Sequence, residues 1–577
     1  MSDHKTDQRK YSRYSNEVIF DYIGTGYLGG KAAGLVQIQT ILGNSSEILS
    51  NDQISISIPR MTVIRTDIFD EFMQENDLYS LALSSDDDVY IAHAFQKGSL
   101  PAAIVGDLRN LISKTDHPLA IRSSSLLEDS SEEPFAGVYA TKMLPNNQQD
   151  VSQRFHKLVE AIKFVYSSLF FTDSKDYFRI TGKALESEKM AVIIQDVAGN
   201  RYNDNYYPLI SGVGRSYNYY PLSKGKPEDG VVNLALGLGK TIVDGGSSWL
   251  YCPRNPKAPA PYNSIKELLD NSQRDFWSIK MGKIKGFNPI SETEFIQKHE
   301  LLEAEEDGNL ALLVSTYDQQ NDRLMAGMHY PGARLLDFAP VLKYEKIALN
   351  KIISDILVIC REAYKSHIEI EFAVSKELNK NKTQYKFNFL QVRTMQVNNR
   401  EIDIDHEYTE KDVIAISESV LGNGKRTDIS DIVYVKPDSF NAVNSREIAQ
   451  QIAVVNRQLS NEKKPYLLIG FGRWGSSDPW LGIPVTWSMI SSARAIIEAT
   501  LPQMKPDLSQ GSHFFHNLIA FGIFYLSIQK EKKKSIDWQW LEDQEVISET
   551  EYIKHVRSQS SLKIIADCVQ NRGIVLK

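Results

Sequence analysis

Little in this chain of 577 residues is suited to covalent cross-linking, membrane insertion or wrapping a polyanion. Its three cysteines, Cys252, Cys360 and Cys568, are far apart and form no CxxC pair. Neither a disulfide framework nor a thiolate metal knuckle is expected, and the thiols read as reduced and mostly buried. No apolar run approaches the roughly 18–20 residues of a spanning helix. The N-terminal MSDHKTDQRKYSRYSNE lacks the apolar segment of a signal peptide. A basic excess is missing too: 65 Lys and Arg stand against 73 Asp and Glu, for a net charge of −8, whereas nucleic-acid domains usually carry a basic surplus. These absences point to a cytoplasmic protein with no membrane partner and no general nucleic-acid binding. They are compatible with an oligomer.

What is present is ordinary globular composition, 42% hydrophobic and 24% charged, in a chain long enough for roughly two to four cores. Residues 1–16 read as a flexible lead-in. EVIFDYI reads as a strand and KAAGLVQIQTIL as a helix, with Leu35, Ile38 and Leu42 at helical spacing. RMTVIRTDIFDEFM predicts a strand and then a helix, residues 151–171 a helix, and EKMAVIIQDVA a buried strand. Residues 199–230, rich in Tyr, Gly, Asn and Pro, predict loops or hairpins, and 255–310 a Pro-rich loop with a charged helix. HIEIEFAVSK and YKFNFLQVRTMQV alternate as antiparallel strands joined by KELNKNKTQ. The acidic NNREIDIDHEYTEKD marks a boundary between a domain over 17–400 and another over 413–577, which holds five of the seven tryptophans.

DYIGTGYLGGKAAGL, residues 21–35, carries two nucleotide-binding spellings. Gly24, Gly26 and Gly29 spell GxGxxG, but the acidic residues at the expected distance, Glu47 and Asp52, follow no strand, which weakens a dinucleotide site. A P-loop would need a glycine at position 25 and a hydroxyl at 32; the chain has Thr25 and Ala32, so that reading is out. There remains a glycine turn opening a helix, whose Lys31 either lies on the surface or reaches a phosphate held elsewhere. LAIRSSSLLEDSSEEPFAG supplies a candidate: Arg122 directly after an apolar strand, then Ser123, Ser124 and Ser125, Glu128 and Asp129, and a Phe135-Ala136-Gly137 turn. Arginine holds phosphate in a bidentate manner and hydroxyls and loop amides complete an anion cradle. In the alternating strands, Glu369 and Glu371 share one face, as do Gln391 and Arg393. Carboxylate and carbonyl oxygens suit a magnesium ion bridging phosphates, with an arginine beside them; a cross-strand ion pair on a solvated face fits the same local pattern.

These pieces, in this order, resemble the ATP-binding domain of the phosphoenolpyruvate synthase and pyruvate phosphate dikinase family. The matching segments are LGGKAAGL, IRSSSLLEDSSEEPFAG, VVNLALGLGKTIVDGG and IEFAVSKELNKNKTQYKFNFLQVRTM, spanning roughly residues 20–398. The resemblance implies an α+β multidomain protein whose ATP-grasp domain holds ATP between two subdomains, with Mg2+ as cofactor. Carried over by position, it implies that Lys31 and Arg122 contact phosphates, with Ser123 and Gly137 completing the nucleotide site. Glu371 and Gln391 would face magnesium, and Arg393 would stand at the phosphoryl-transfer end. Two positions depart from the family pattern: Lys240 where the family has Glu, and Thr394 where it has Pro.

Family members pass the phosphoryl group through a histidine on a mobile domain. QGSHFFHNLIAFGIF resembles that segment, with His513 as the carrier and His516 one turn on, so 413–577 is expected to be a smaller α/β carrier or acceptor domain, like the swivelling phosphohistidine domain. A helix in which both histidines pack beside aromatics is the competing reading. In IGFGRWGSSDPWLGIPVTW, Arg473, Ser476, Ser477 and Asp478 lie between Trp474 and Trp480; the loop suits either an anionic or planar acceptor or a domain interface. About 55 residues follow Gly522, against the roughly 200 or more of a (β/α)8 barrel, so the family's C-terminal pyruvate barrel is not expected in this sequence. The expected function is ATP- and Mg2+-dependent phosphoryl transfer to an unknown small-molecule or protein acceptor. The rivals are a non-catalytic ATP-binding regulator and, more remotely, a dinucleotide oxidoreductase.

Overall fold

The structure, a computed structural model, describes residues 20–128, 137–221, 225–260, 264–282, 287–328, 331–379, 382–395, 397, 409–476, 478–500, 514, 517–518, 521–528 and 536–577. The expected lead-in, most of the acidic boundary, Asp129, Phe135, Ala136, Ser477, Ser512, His513 and His516 lie outside them.

Helix α1 (Gly30–Asn44) buries Ala32, Leu35 and Ile38, the helical spacing read in the sequence. Strands β1 (Leu119–Ser125) and β2 (Met190–Asp196) pair antiparallel at the centre of a five-stranded sheet with Phe20–Ile23, Met61–Ile64 and Thr141–Leu144. Strands β3 (Ile210–Arg215) and β4 (Val231–Ala235) precede the short helix α2 (Lys240–Val243). They join β5 (Ile368–Asn379) and β6 (Lys382–Thr394) in a second, six-stranded sheet. Helix Leu349–Tyr364 covers this sheet with Ile352, Ile353, Ile356, Leu357 and Cys360 at three- and four-residue spacing, and each such buried aliphatic contributes about 1.5–3 kcal/mol. Burial pushes the Cys360 thiol up to about 12, and all three cysteines are free, as expected.

Two segments differ from expectation. β3, placed among loops or hairpins by its glycines, is a fully buried central strand. Gly212 and Gly214 are there for room, since a Cβ on Gly212 would fall 2.2 Å from the Phe372 ring; a strand glycine here marks close approach rather than a turn. Within 255–310, Asp275–Lys280 and Ile296–Glu300 are strands of a four-stranded sheet completed by the hairpin Asn200–Tyr202 and Asn205–Tyr207.

Residues 413–576 build a nine-stranded mixed sheet. Within it Asn423–Val435, Tyr466–Phe471, Ala493–Ala499 and Phe524–Ile528 run parallel, and helix Ser445–Asn461 crosses between the first two. Phe524–Ile528 is thus a strand, not the end of a helix running through the histidine segment. This sheet is not a separate bead, because one apolar core runs from Phe69, Tyr177 and Phe178 to Trp474, Trp487 and Leu518. Among the described residues, no helix is long and apolar enough to cross a membrane.

Candidate nucleotide site

The glycine-rich opening does two different things in its two halves. Gly24 (φ 90°) and Gly26 belong to a turn wrapped around Asp67, whose carboxylate accepts from the Thr25 and Gly26 amides at 2.8 and 2.9 Å and from the Thr25 hydroxyl at 3.0 Å. Those amide donations hold the Asp67 carboxyl below its ordinary range, although its burial acts in the opposite sense. The amides that would cradle a dinucleotide are filled by a protein carboxylate.

Gly29 (φ 75°) acts by closeness: a Cβ there would lie 1.8 Å from the Ser124 carbonyl oxygen. The turn is locked to β1, since Ser124 Oγ donates to Leu28 O at 2.9 Å and accepts from Ala32 N at 3.1 Å. Lys31 is thereby set on the first turn of α1 against β1. Its ammonium pairs with the buried Glu128 carboxylate and lies 3.3 Å from Ser123 Oγ. Ser123 donates to Glu128 at 3.0 Å, and Glu128 also accepts from Ser125 N at 3.1 Å. All three serines are fully buried. They position Lys31 and Glu128, so the hydroxyl cradle read from the sequence is a scaffold behind the lysine rather than an open surface.

Between the two sheets lies a cleft of about 270 Å3 lined by Lys31, Arg122, Gly137, Glu371, Gln391 and Arg393, all anticipated from the sequence. Arg122, on β1, reaches across to β6: its Nη1 donates to Leu390 O at 3.0 Å and its Nη2 to Gln391 Oε1 at 2.8 Å, with Glu371 3.7 Å away. Gln391 stands opposite Glu371 in the β5–β6 register, beside a bulge after Glu371. Arg393 donates to Glu369 from Nε at 2.6 Å and lies 3.4 Å from Glu371. Glu369 also accepts from Arg215 Nε at 2.5 Å, so a buried Arg215–Glu369–Arg393 row crosses three strands. Buried charges persist when paired in this way. Reading the sequence alone missed Arg215, because only the pairing of β3 with β5 brings it opposite Glu369.

The remaining walls mix apolar Met143, Val197, Ala198, Pro208, Leu238 and Ile296 with Gln195, Asp196, Lys240, Asp244 and Glu292. One charged terminus and one apolar slot suit a ligand with a planar base and a polyphosphate. Gln195 fits the same ligand: its Oε1 accepts from Arg122, and its buried Nε2 has no acceptor among the described residues. For a metal, Glu371 and Gln391 offer hard oxygen donors, and no group of three His, Cys, Asp or Glu among the described residues could hold an ion unaided. That donor set fits magnesium, which is commonly held by one or two protein oxygens together with substrate phosphates.

Lys240, the departure from the family pattern, opens α2 at the cleft edge and pairs with Asp244 at 2.9 Å. Burial tends to lower its pKa, but Asp244 and Glu292 outweigh that and hold it above its ordinary value. Burial raises the Glu292 carboxyl, with Lys240 opposing. Thr394 ends β6, where a strand would also stop at proline. In the C-terminal part, Arg473 and Ser476 both donate to Gly245 O, at 3.4 and 3.3 Å, and Trp474 is buried. The loop around them is therefore fastened to the Gly245 turn, and among its described aromatics Trp480 alone is exposed.

The sequence profile of the family described as "Pyruvate phosphate dikinase, AMP/ATP-binding domain" matches residues 25–412 of the 577. A comparison with curated proteins found no match. The matched span contains the whole cleft, its four cations, Glu371 and Gln391. With an ATP-grasp fold and ATP as its ligand, this chain belongs to the pyruvate phosphate dikinase AMP/ATP-binding domain family.

Proposed function

We propose that the protein is an ATP- and Mg2+-dependent phosphotransferase of the dikinase type, working in the cytoplasm, with residues 17–400 as its nucleotide domain and 413–577 as the domain that carries or receives the phosphoryl group. The observation that carries this reading is the convergence of Lys31, Arg122 and Arg393 on one cleft beside Glu371 and Gln391. Phosphoryl transfer needs little covalent help from a protein; it needs alignment and fixed positive charge where negative charge accumulates. Arg122 is suited to orient the triphosphate, because it is already braced against β6 from β1. Lys31 exchanges Glu128 for a phosphate oxygen by a small side-chain movement, Ser123 having held it in range. Arg393, fixed by Glu369, presents its guanidinium at the transfer end. Glu371 and Gln391 would hold Mg2+, whose charge on the phosphates would ease nucleophilic approach.

The alternative, an ATP-binding regulator without transfer, is favoured by Lys240 in the family's glutamate position. Incubating the full chain with ATP labelled separately at the β and γ positions separates the two. Label appearing on protein or product, and lost in Arg393→Ala, supports transfer. Nucleotide binding with no label leaving ATP supports the regulator. Label on His513 would assign the carrier role to that residue.

A further inference from the structure

Strand alternation puts Glu369 and Glu371 of β5 on the cleft face, and the register sets Arg393 opposite Glu369 on β6 and Arg215 opposite it on β3. Glu369 thus has a guanidinium on either side and gives each an oxygen. Arg215 Nε donates to Oε2 at 2.5 Å, and Arg393 Nε to Oε1 at 2.6 Å. Arg393 lies 3.4 Å from Glu371 as well, and Glu371 lies 3.7 Å from Arg122. Arginines and carboxylates therefore alternate from Arg215 to Arg122, beginning and ending on a cation. The two ends are not equivalent: Arg122 lines the cleft, whereas Arg215 is 1% exposed and does not. Its Nη1 and Nη2 are buried and meet no acceptor among the described residues, so the engaged donor is Nε, on Glu369. A buried guanidinium held in this way costs stability, and an apolar side chain of similar volume commonly does better where the role is only structural.

We propose that Arg215 is a positioning residue for phosphoryl transfer: it offsets the charge of Glu369, so that Arg393, held by the same carboxylate, keeps its positive charge for the migrating phosphoryl group. The proposal rests on the phosphotransferase reading of the cleft. Arg393 faces both Glu369 and Glu371, and two carboxylates would more than cancel one guanidinium. With Arg122 sharing Glu371 and Arg215 sharing Glu369, the row of three arginines and two carboxylates keeps one positive charge in surplus. Glu369 and Arg393 are buried, where solvent and salt screen such charges little. A carboxylate alone would hold Arg393 as firmly and would neutralise it in doing so; the second arginine separates the two effects. Arg215 acts through Glu369 and does not touch the nucleotide, since it lies on the far side of that carboxylate from Arg393 and off the cleft lining.

The test follows label leaving β- or γ-labelled ATP in single turnovers of the full chain with Mg2+, beside ATP affinity and thermal unfolding. Arg215→Met keeps the length of the side chain and removes its charge. Transfer should slow about tenfold or more, short of the loss for a donor that itself meets the phosphoryl group. ATP affinity should stay within about threefold of wild type, because the effect lies in the transfer step. Adding Glu369→Gln removes the carboxylate that Arg215 offsets, and the double variant should transfer at least about fivefold faster than Arg215→Met. A packing role predicts the opposite, since a second change in the same buried row would add to the damage. If Arg215→Met does not fold, Arg215→Gln takes its place: it can still donate to Glu369 but lacks the charge, so the same slowing and recovery are expected. Transfer at the wild-type rate in the single variant, a loss that follows ATP affinity, or a double variant no faster than the single one overturns the assignment of Arg215 and leaves the reading of the cleft intact. No label leaving ATP in the wild-type chain overturns the reading of the cleft and this proposal together.

Discussion

Two adjoining cavities share a wall and differ in charge. The nucleotide cleft gathers Lys31, Arg122, Lys240 and Arg393 against Glu371, Asp244, Glu292 and Asp196; the cavity under the Trp487 loop shows, among its described residues, two carboxylates and neutral polar groups. In the first, four cations are matched by four carboxylates; in the second, Asp173 and Asp244 have no cation beside them among the described lining residues.

The comparison is broken most severely by removing a cation from the transfer end. Arg393→Ala should lower phosphoryl transfer by roughly 10²–10³-fold, the usual loss for one preorganised charge-stabilising donor. It also removes one cation from the buried Glu369, which Arg215 still faces, so thermal unfolding should be followed beside the rate. Transfer within a few-fold of wild type would remove Arg393 from the mechanism.

Next in size is the joint that assembles the cleft. Gly29→Ala forces a Cβ into the Ser124 carbonyl and should cost about 2–4 kcal/mol in urea unfolding. Gly182 has a similar φ of 67° but no atom within 4 Å of its added Cβ, so Gly182→Ala should cost about 1 kcal/mol. Equal losses would mean that conformation, rather than the approach of α1 to β1, explains Gly29.

The cleft was far more legible than its neighbour, for a physical reason. Lys31, Arg122, Gly137, Glu371, Gln391 and Arg393 lie on short motifs, where residue type and strand alternation already state the chemistry. The partners that fix them are different: Gln195, Arg215 and Glu369 owe their roles to strand pairing between distant segments, which local periodicity does not carry. The three serines were read as an anion cradle because a hydroxyl run after an arginine looks the same whether it faces solvent or packs behind a helix. Gly24 and Gly26 misled for a related reason, since Asp67, which accepts from the Thr25 and Gly26 amides, is about forty residues away. In the C-terminal part the Trp474 loop could be read two ways, and its hydrogen bonds to Gly245, a residue far away in sequence, are not visible in local pattern.

That contact should be sensitive to pH. Glu498 is completely buried beneath the loop, accepts from the Tyr525 hydroxyl, and is pushed up to about 7 by burial, with Tyr525 and Arg473 acting in the opposite direction. Between its ordinary value of 4.5 and about 7, the folded protein keeps a proton that the unfolded chain has lost. Stability should therefore fall as pH rises through that window, by about 1.4 kcal/mol per pH unit from this group, with the cost complete above about 7. In Glu498→Gln the urea midpoint should vary less steeply over the window; an unchanged slope would assign the dependence elsewhere.

The smallest effect concerns the residue on the shared wall itself. Lys240 is the cation between Asp244 and Glu292, so on the proposed reading it offsets the carboxylates at the cleft edge that would oppose a triphosphate. In Lys240→Ala those carboxylates face the nucleotide unneutralised, and ATP affinity should weaken roughly three- to tenfold at pH 8, the scale of one partly screened charge. Glu292 already titrates above its ordinary value because of burial, with Lys240 opposing; losing that opposition raises it further. Lowering the pH then protonates Glu292 and relieves part of the repulsion, so the affinity deficit should shrink as pH falls, measured by calorimetry against wild type at each pH. A deficit independent of pH would mean that Lys240 touches the nucleotide directly. In that case the wall between the cavities is set by Asp244 alone, and Lys240→Glu, which restores the family's residue, should weaken ATP binding more than the alanine does.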